Sequence, residues 1–221
     1  MRKRSGITWL VAVCSLATIW SAMQPVDYAT WFFELFIGAA GVALLVWTHA
    51  RFQFSPVVYL VVGVHYIILA CGAKYTYAEM PAFDWLKDVL NLSRNHFDRV
   101  GHFAQGVTPA IVVREFLIRQ TRLEIAWIQN VLAISAALAF SALYEILEWL
   151  WVIVFYPTRG PEWLGMQGDP WDAQADMLMA LLGAVAAVML LRRLQDAQIR
   201  QLTCNLPSDP PRETRPDSAR H

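Results

Sequence analysis

The sequence predicts an all-α, polytopic membrane helix bundle of about six transmembrane helices, with both termini cytoplasmic. Three observations carry that expectation. Of the 221 residues, 57% are hydrophobic and only 16% are charged, less charge than a soluble domain of this length carries. The apolar residues come in long runs, near the ~20 residues that cross a bilayer. The ten Trp and seven Tyr cluster toward the run ends, where interfacial belts hold aromatic side chains.

Residues 1–6 are basic, and an apolar run follows from Ile7 to Met23. It is longer than a signal-peptide core and no small-x-small cleavage site follows, so it reads as a first membrane helix. A second run spans Trp31 to Thr48, with Glu34 read as an interfacial carboxylate favoured by the helix N-terminus. A third spans Val57 to Tyr75. His65 lies near its middle, and a mid-membrane histidine faces the bundle interior, as a functional group or as a hydrogen-bonding partner of a neighbouring helix. Residues 76–97 form the longest internal loop, in which Asp84 to Leu90 has the spacing of a short interfacial helix. The fourth run is Val100 to Ile118, with Pro109 inside, and the fifth is Ile125 to Phe155. After a Pro/Gly-rich loop over 156–169, the sixth reaches from Trp171 to Leu191. Residues 1–195 thus read as one membrane-embedded domain, and 196–221 as a polar tail expected to be disordered.

Basic residues set the expected orientation. Arg2, Lys3, Arg4, Arg51, Arg119, Arg122, Arg192, Arg193 and Arg200 fall on the side of the N-terminus, and that excess places both termini in the cytoplasm. Formal net charge is zero, with no basic face, which argues against nucleic acid as a partner. Cys14, Cys71 and Cys204 match neither a metal spacing nor a disulfide framework.

This orientation gathers polar clusters at one depth, facing outward. Glu145 and Glu148 are i, i+3 and share a face that Ser141 extends. Asp172 and Asp176 are i, i+4, and Ala180, Gly183 and Ala187 continue their stripe with small residues that suit close helix packing. Asp98, His102, Gln105 and Pro109 share a face of the fourth helix, with Asp98 placed to fix the His102 tautomer. The core of the expected site is His102, Glu145, Glu148, Asp172 and Asp176. Asp98, Gln105, Lys74, Tyr77, His65, Gln167, Asp169 and Gln174 are its candidate substrate contacts. Structural readings stand beside these. Asp169-Pro170 has the pattern of a helix cap, Glu145 could pair with Arg99, and His102 could be a satisfied core histidine.

Clustered carboxylates in a low dielectric hold protons or gather cations. Carboxylates with one imidazole suit a divalent cation such as Mg²⁺, Ca²⁺, Mn²⁺ or Zn²⁺ as cofactor, and His102, Glu145, Glu148, Asp172 and Asp176 are the candidate ligands. No zinc-protease motif, P-loop or nucleophile elbow is present. Three functions remain open. One is an enzyme or binder acting on lipid or lipid-linked envelope substrates. The others are a proton- or ion-coupled transporter and a structural scaffold. Membrane lipid is the expected partner, and oligomeric state is open.

The segments Phe97–Gly106, Ser141–Trp149 and Gly165–Met177 resemble the YjdF family of bacterial inner-membrane proteins, a domain of unknown function. His65 and Lys74-Tyr75-Thr76-Tyr77 also fit its pattern, and the likeness covers roughly residues 30–195. It implies a multi-pass inner-membrane location and no reaction. A weaker resemblance links the order Asp98/His102, Glu145 and Asp172/Asp176 to VanZ-like membrane proteins, tied to glycopeptide (teicoplanin) resistance, with different spacings.

Overall fold

The protein is described from a computed structural model over residues 5–157 and 166–204. Among the described residues it is all-helical: α1 (Ser5–Ser21), α2 (Tyr28–Thr48), α3 (Pro56–Tyr75), α4 (Pro81–Leu90), α5 (Phe97–Gln120), α6 (Ala126–Phe155), a 3₁₀ turn (Met166–Gly168) and α7 (Asp172–Cys204). The six apolar runs of the sequence correspond to α1, α2, α3, α5, α6 and α7. The short amphipathic stretch is α4, which buries none of its residues. Length and apolar composition alone suffice for α2, α3, α6 and α7 to cross a bilayer. Helix α1 is shorter, and α5 is more polar.

Local chemistry sets the boundaries. Asp27 caps α2, its Oδ2 accepting from the Thr30 amide at 2.7 Å and the Thr30 hydroxyl at 2.6 Å. Pro56 and Pro81 open α3 and α4 at the first helical turn, where a missing N–H costs nothing. Thr76 and Asn91 end those helices in the left-handed conformation.

Helix α5 packs against α3, α6 and α7, while α1 and α2 pack on α3. The α5–α7 contact is close because glycines alternate with carbonyls across it. A methyl on Gly106 would collide with the Ala180 carbonyl, and one on Gly183 with the Phe103 carbonyl. The small-residue stripe of α7 is buried as its spacing implies: Ala180, Gly183 and Ala187 all lie inside. Large apolar side chains such as Met189, Leu190 and Trp47 point outward, as lipid-facing residues do. The three cysteines are unpaired.

The end of α7 departs from expectation. The tail was expected to begin at residue 196, but α7 continues to Cys204. Its polar residues dock back onto the bundle. Gln195 is fully buried, donates to the Ile111 carbonyl and accepts from Arg114, both at 2.8 Å, and Gln198 accepts from the Val57 amide at 2.9 Å. Arg114 also reaches Asp196 at 2.8 Å. Beside it, Glu115 is fully buried and accepts from the Ser55 amide, the Ser55 hydroxyl and Arg119. This second polar knot fixes the far end of α5 and was not expected from the sequence. The expected disorder of residues 205–221, and most of the Pro/Gly-rich loop with Gly165, lie outside the described residues.

Candidate functional site

The polar residues converge where the first turns of α5 and α7 meet the last third of α6. His102 is the centre. Its Nε2 stands 3.4 Å from Asp98 Oδ1 and 3.7 Å from Asp176 Oδ1, and its Nδ1 stands 3.6 Å from Glu145 Oε1. One donor atom from each of Asp98, His102 and Asp176 lies within 4.8 Å of the other two, and all three side chains are buried. The i, i+4 spacing of Asp98 and His102 produces the first contact, and the α5–α7 glycine contacts bring Asp176 across. His102 Nδ1 and Glu145 Oε1 are both buried without a hydrogen-bond partner.

Two arginines close one side of the cluster. Arg94 Nη1 donates to Asp172 Oδ1 at 2.8 Å and Asp169 Oδ2 at 3.1 Å. Arg99 Nη2 donates to Asp172 Oδ1 at 2.6 Å and Asp169 Oδ2 at 3.2 Å, and its Nη1 pairs with Asp176 and, at 3.4 Å, with Asp98. Two guanidiniums thus face four aspartates. The glutamates in the adjoining walls add to the negative charge, so neutrality there calls for protons or a cation.

Two cavities flank His102. One, of about 210 Å³, is walled by Asp98, His102, Glu145, Glu148, Asp172 and Asp176. The other, of about 260 Å³, runs between α2, α3, α5 and α6, and mixes aliphatic side chains with Glu34, His65, Gln105, Tyr77 and Thr108. Asp98, His102 and Glu148 line both.

Of the expected core, all five residues come together around this region. Among the expected contacts, Asp98, Gln105, Tyr77 and His65 line the larger cavity. Asp169 bonds its own turn and the arginines: its Oδ1 accepts from the Trp171 amide at 3.0 Å, in keeping with the cap reading, and its Oδ2 accepts from Arg94 and Arg99. Three others stand elsewhere. Lys74 turns toward α1, where its ammonium donates to the Met23 carbonyl and sits 5.3 Å over the Trp20 ring. Gln174 is exposed, because two residues on from buried Asp172 is the opposite side of a helix. Gln167 fastens its own turn, exchanging hydrogen bonds of 2.8 and 2.9 Å with the Asn95 backbone. Glu145, which the structural alternative would pair with Arg99, faces His102.

Glu34 is a correction and a gain. It stands beyond the first turn of α2, accepts from the Tyr144 hydroxyl at 2.6 Å and lines the larger cavity. Gly38 and Gly41, one and two turns on, share that wall, and the stripe Glu34-Gly38-Gly41 was the signal in the sequence. Arg99 is legible in the sequence only as a candidate partner of Glu145, and Arg94 carries no site signal there.

Residues 6–197 match the family described as predicted membrane protein (DUF2238). The chain is similar to the inner membrane protein YjdF of Escherichia coli (strain K12), 38% identical over 187 residues, which is 85% of this chain and 89% of that protein. No solved structure matches the chain. The VanZ-like resemblance rests on motif order alone.

Proposed function

The chain belongs to the DUF2238 family of membrane proteins and is a relative of YjdF, and from that multi-pass inner-membrane setting we propose that it is a divalent-cation-dependent enzyme acting on lipid or lipid-linked envelope substrates. The observation that carries this reading is the buried Asp98–His102–Asp176 donor set. Two ligands about 2.1 Å from one ion stand roughly 3–3.5 Å apart, and the His102 Nε2 to Asp98 Oδ1 separation of 3.4 Å falls in that range. Glu145 then has the role of an orienting carboxylate, facing the Nδ1–H of a histidine that gives its other nitrogen to the ion. Glu148, on the wall shared by both cavities, is the carboxylate we assign as general base: it takes a proton from water as that water attacks an ester or phosphoester, and returns the proton to the alkoxide that leaves as the C–O or P–O bond breaks. The cation would polarise the oxygen that gains charge. The distribution of basic residues supports a site facing outward, with both termini cytoplasmic.

The test is elemental analysis of protein purified in detergent without chelator, wild type beside Asp176→Asn. Near-stoichiometric divalent metal in the wild type, lost in a folded variant, supports the proposal. No metal in the wild type overturns it.

A proton- or ion-coupled transporter is the second reading. The observation favouring it is that Glu34, His65, His102 and Glu148 line one cavity, as a relay would need. Liposome flux that follows a pH gradient, in protein free of metal, would favour it over the enzyme. A scaffold role, with Arg94 and Arg99 as internal glue, predicts that site variants lower folded yield and nothing else.

A further inference from the structure

We propose that the larger cavity holds one acyl chain of an ester-linked glycerolipid, with the lipid's ester carbonyl at Gln105 and Thr108 and its polar head at His102. The proposal rests on the functional reading above and names its substrate class.

Three observations carry it. First, chemistry is ordered along α5. His102 comes first, then Gln105 and Thr108 on the same wall, then Val112 and Val113. A glycerolipid has that order: head, ester carbonyls, hydrocarbon. Second, Gln105 is buried and its Nε2 has no partner, and neither has Thr108 Oγ1 or, across the cavity on α3, His65 Nε2. An unpartnered amide N–H and hydroxyl on residues that line the cavity, next to its aliphatic part, suit an ester carbonyl, whereas a polyprenyl chain has no acceptor at that depth. A mostly apolar cavity with a few convergent polar groups is the usual form of a ligand site. Third, the cavity is long and open at the α2 face. From Glu34 to Leu45 its α2 wall runs roughly 16 Å at 1.5 Å per residue, near the depth of one leaflet, about 15 Å of the ~30 Å hydrocarbon. Helix α2 is tied to α6 near its start, where Phe33 stacks on Trp151 at 4.9 Å and Tyr144 donates to Glu34. Further along, Gly41 is exposed, lines the cavity, and a Cβ built there meets nothing within 4 Å. That gap in the α2 wall is a lateral door for a chain.

The experiment uses the full-length protein in vesicles of phosphatidylethanolamine and phosphatidylglycerol. One set contains phosphatidylglycerol with a diazirine midway along one acyl chain, and the other contains a diazirine-bearing polyprenyl phosphate. After irradiation, labelled residues are mapped by mass spectrometry. The expected result is acyl-probe labelling at Val42 and Val112, lost in Gly41→Trp and reduced in Gln105→Leu/Thr108→Val, with prenyl-probe label confined to outward residues such as Leu190. Gly41→Leu serves the same purpose should the tryptophan variant fail to fold. Acyl label confined to outward residues, or insensitive to Gly41→Trp, overturns the proposal. Equal cavity labelling by both probes overturns its ester part. Metal content of the same preparations is read separately: cavity label in protein without metal sinks the cation reading and leaves the chain site standing.

Discussion

His102 Nδ1 lies 3.6 Å from Glu145 Oε1, and neither atom has a hydrogen-bond partner, although both are buried. A proton on Nδ1 would face the Glu145 carboxylate and leave the Nε2 lone pair to a cation shared with Asp98 and Asp176. Glu145→Gln removes the charge that favours this tautomer and leaves the three donor atoms in place. The expected outcome is a cation affinity weakened by about 10–100-fold, with an unchanged elution profile. Titration of chelator-stripped protein with Mn²⁺ or Zn²⁺ reads it. Affinity equal to wild type would remove Glu145 from the site.

Glu148 should behave differently. It lines both cavities but is no member of the donor set. Glu148→Gln is expected to keep the cation and lower turnover of an acyl-ester lipid by about 10²–10⁴-fold. Product formation followed by mass spectrometry, beside metal content, separates the two glutamates. Loss of the metal in this variant would mean that the roles are wrongly divided.

The helices were legible in the sequence because apolar runs, proline starts and turn residues are local signals. The i, i+3 and i, i+4 carboxylate pairs were legible for the same reason, since one helix fixes which residues share a face. What a helix face meets is not local. Arg94 reads as a loop charge until α7 brings Asp169 and Asp172 to it. Glu115 reads as part of a charged helix end until Ser55, sixty positions earlier, bonds to it. Lys74 shared the depth of the site and faced the other way, because depth along a helix does not fix azimuth.

Arg94 is buried and its Nη1 bridges Asp169 and Asp172. Removing one partner of a buried ion cluster leaves charge uncompensated, at a cost of about 3–5 kcal/mol. Arg94→Met is therefore expected to lower thermal stability in detergent strongly. Adding Asp172→Asn to it should recover part of the loss, since the surplus charge goes with it. A double-mutant cycle of the melting transitions gives the coupling, and simple additivity would show that the pair is energetically independent.

Asp27 gives a pH signature outside the membrane spans. The Thr30 hydroxyl, more than the Thr30 amide, holds its carboxyl below the ordinary aspartate range. The folded value is depressed, so the cap contributes stability above the ordinary value and loses it as pH falls through the folded one. At neutral pH Asp27→Ala should melt earlier, by the ~1 kcal/mol typical of a lost cap. The gap to wild type should narrow as pH drops below about 4. A gap that stays constant down to pH 3 would show that the carboxylate charge is irrelevant to the cap.

The α5–α7 seam should tolerate almost nothing larger than hydrogen. Gly106 faces the Ala180 carbonyl and Gly183 faces the Phe103 carbonyl, so each glycine meets backbone, which cannot rotate away as a side chain can. Gly106→Ala and Gly183→Ala should each cost at least the ~1–3 kcal/mol of an overpacked core. Because the seam also holds Asp176 against His102, the variants should weaken cation binding even where they fold. Gly41→Ala, on open ground in α2, is the control for the seam: it should leave cation affinity unchanged and raise the melting temperature slightly, since alanine favours a helix interior over glycine by about 0.5–1 kcal/mol. A seam variant as stable as the control would mean that α5 and α7 do not pack at this distance.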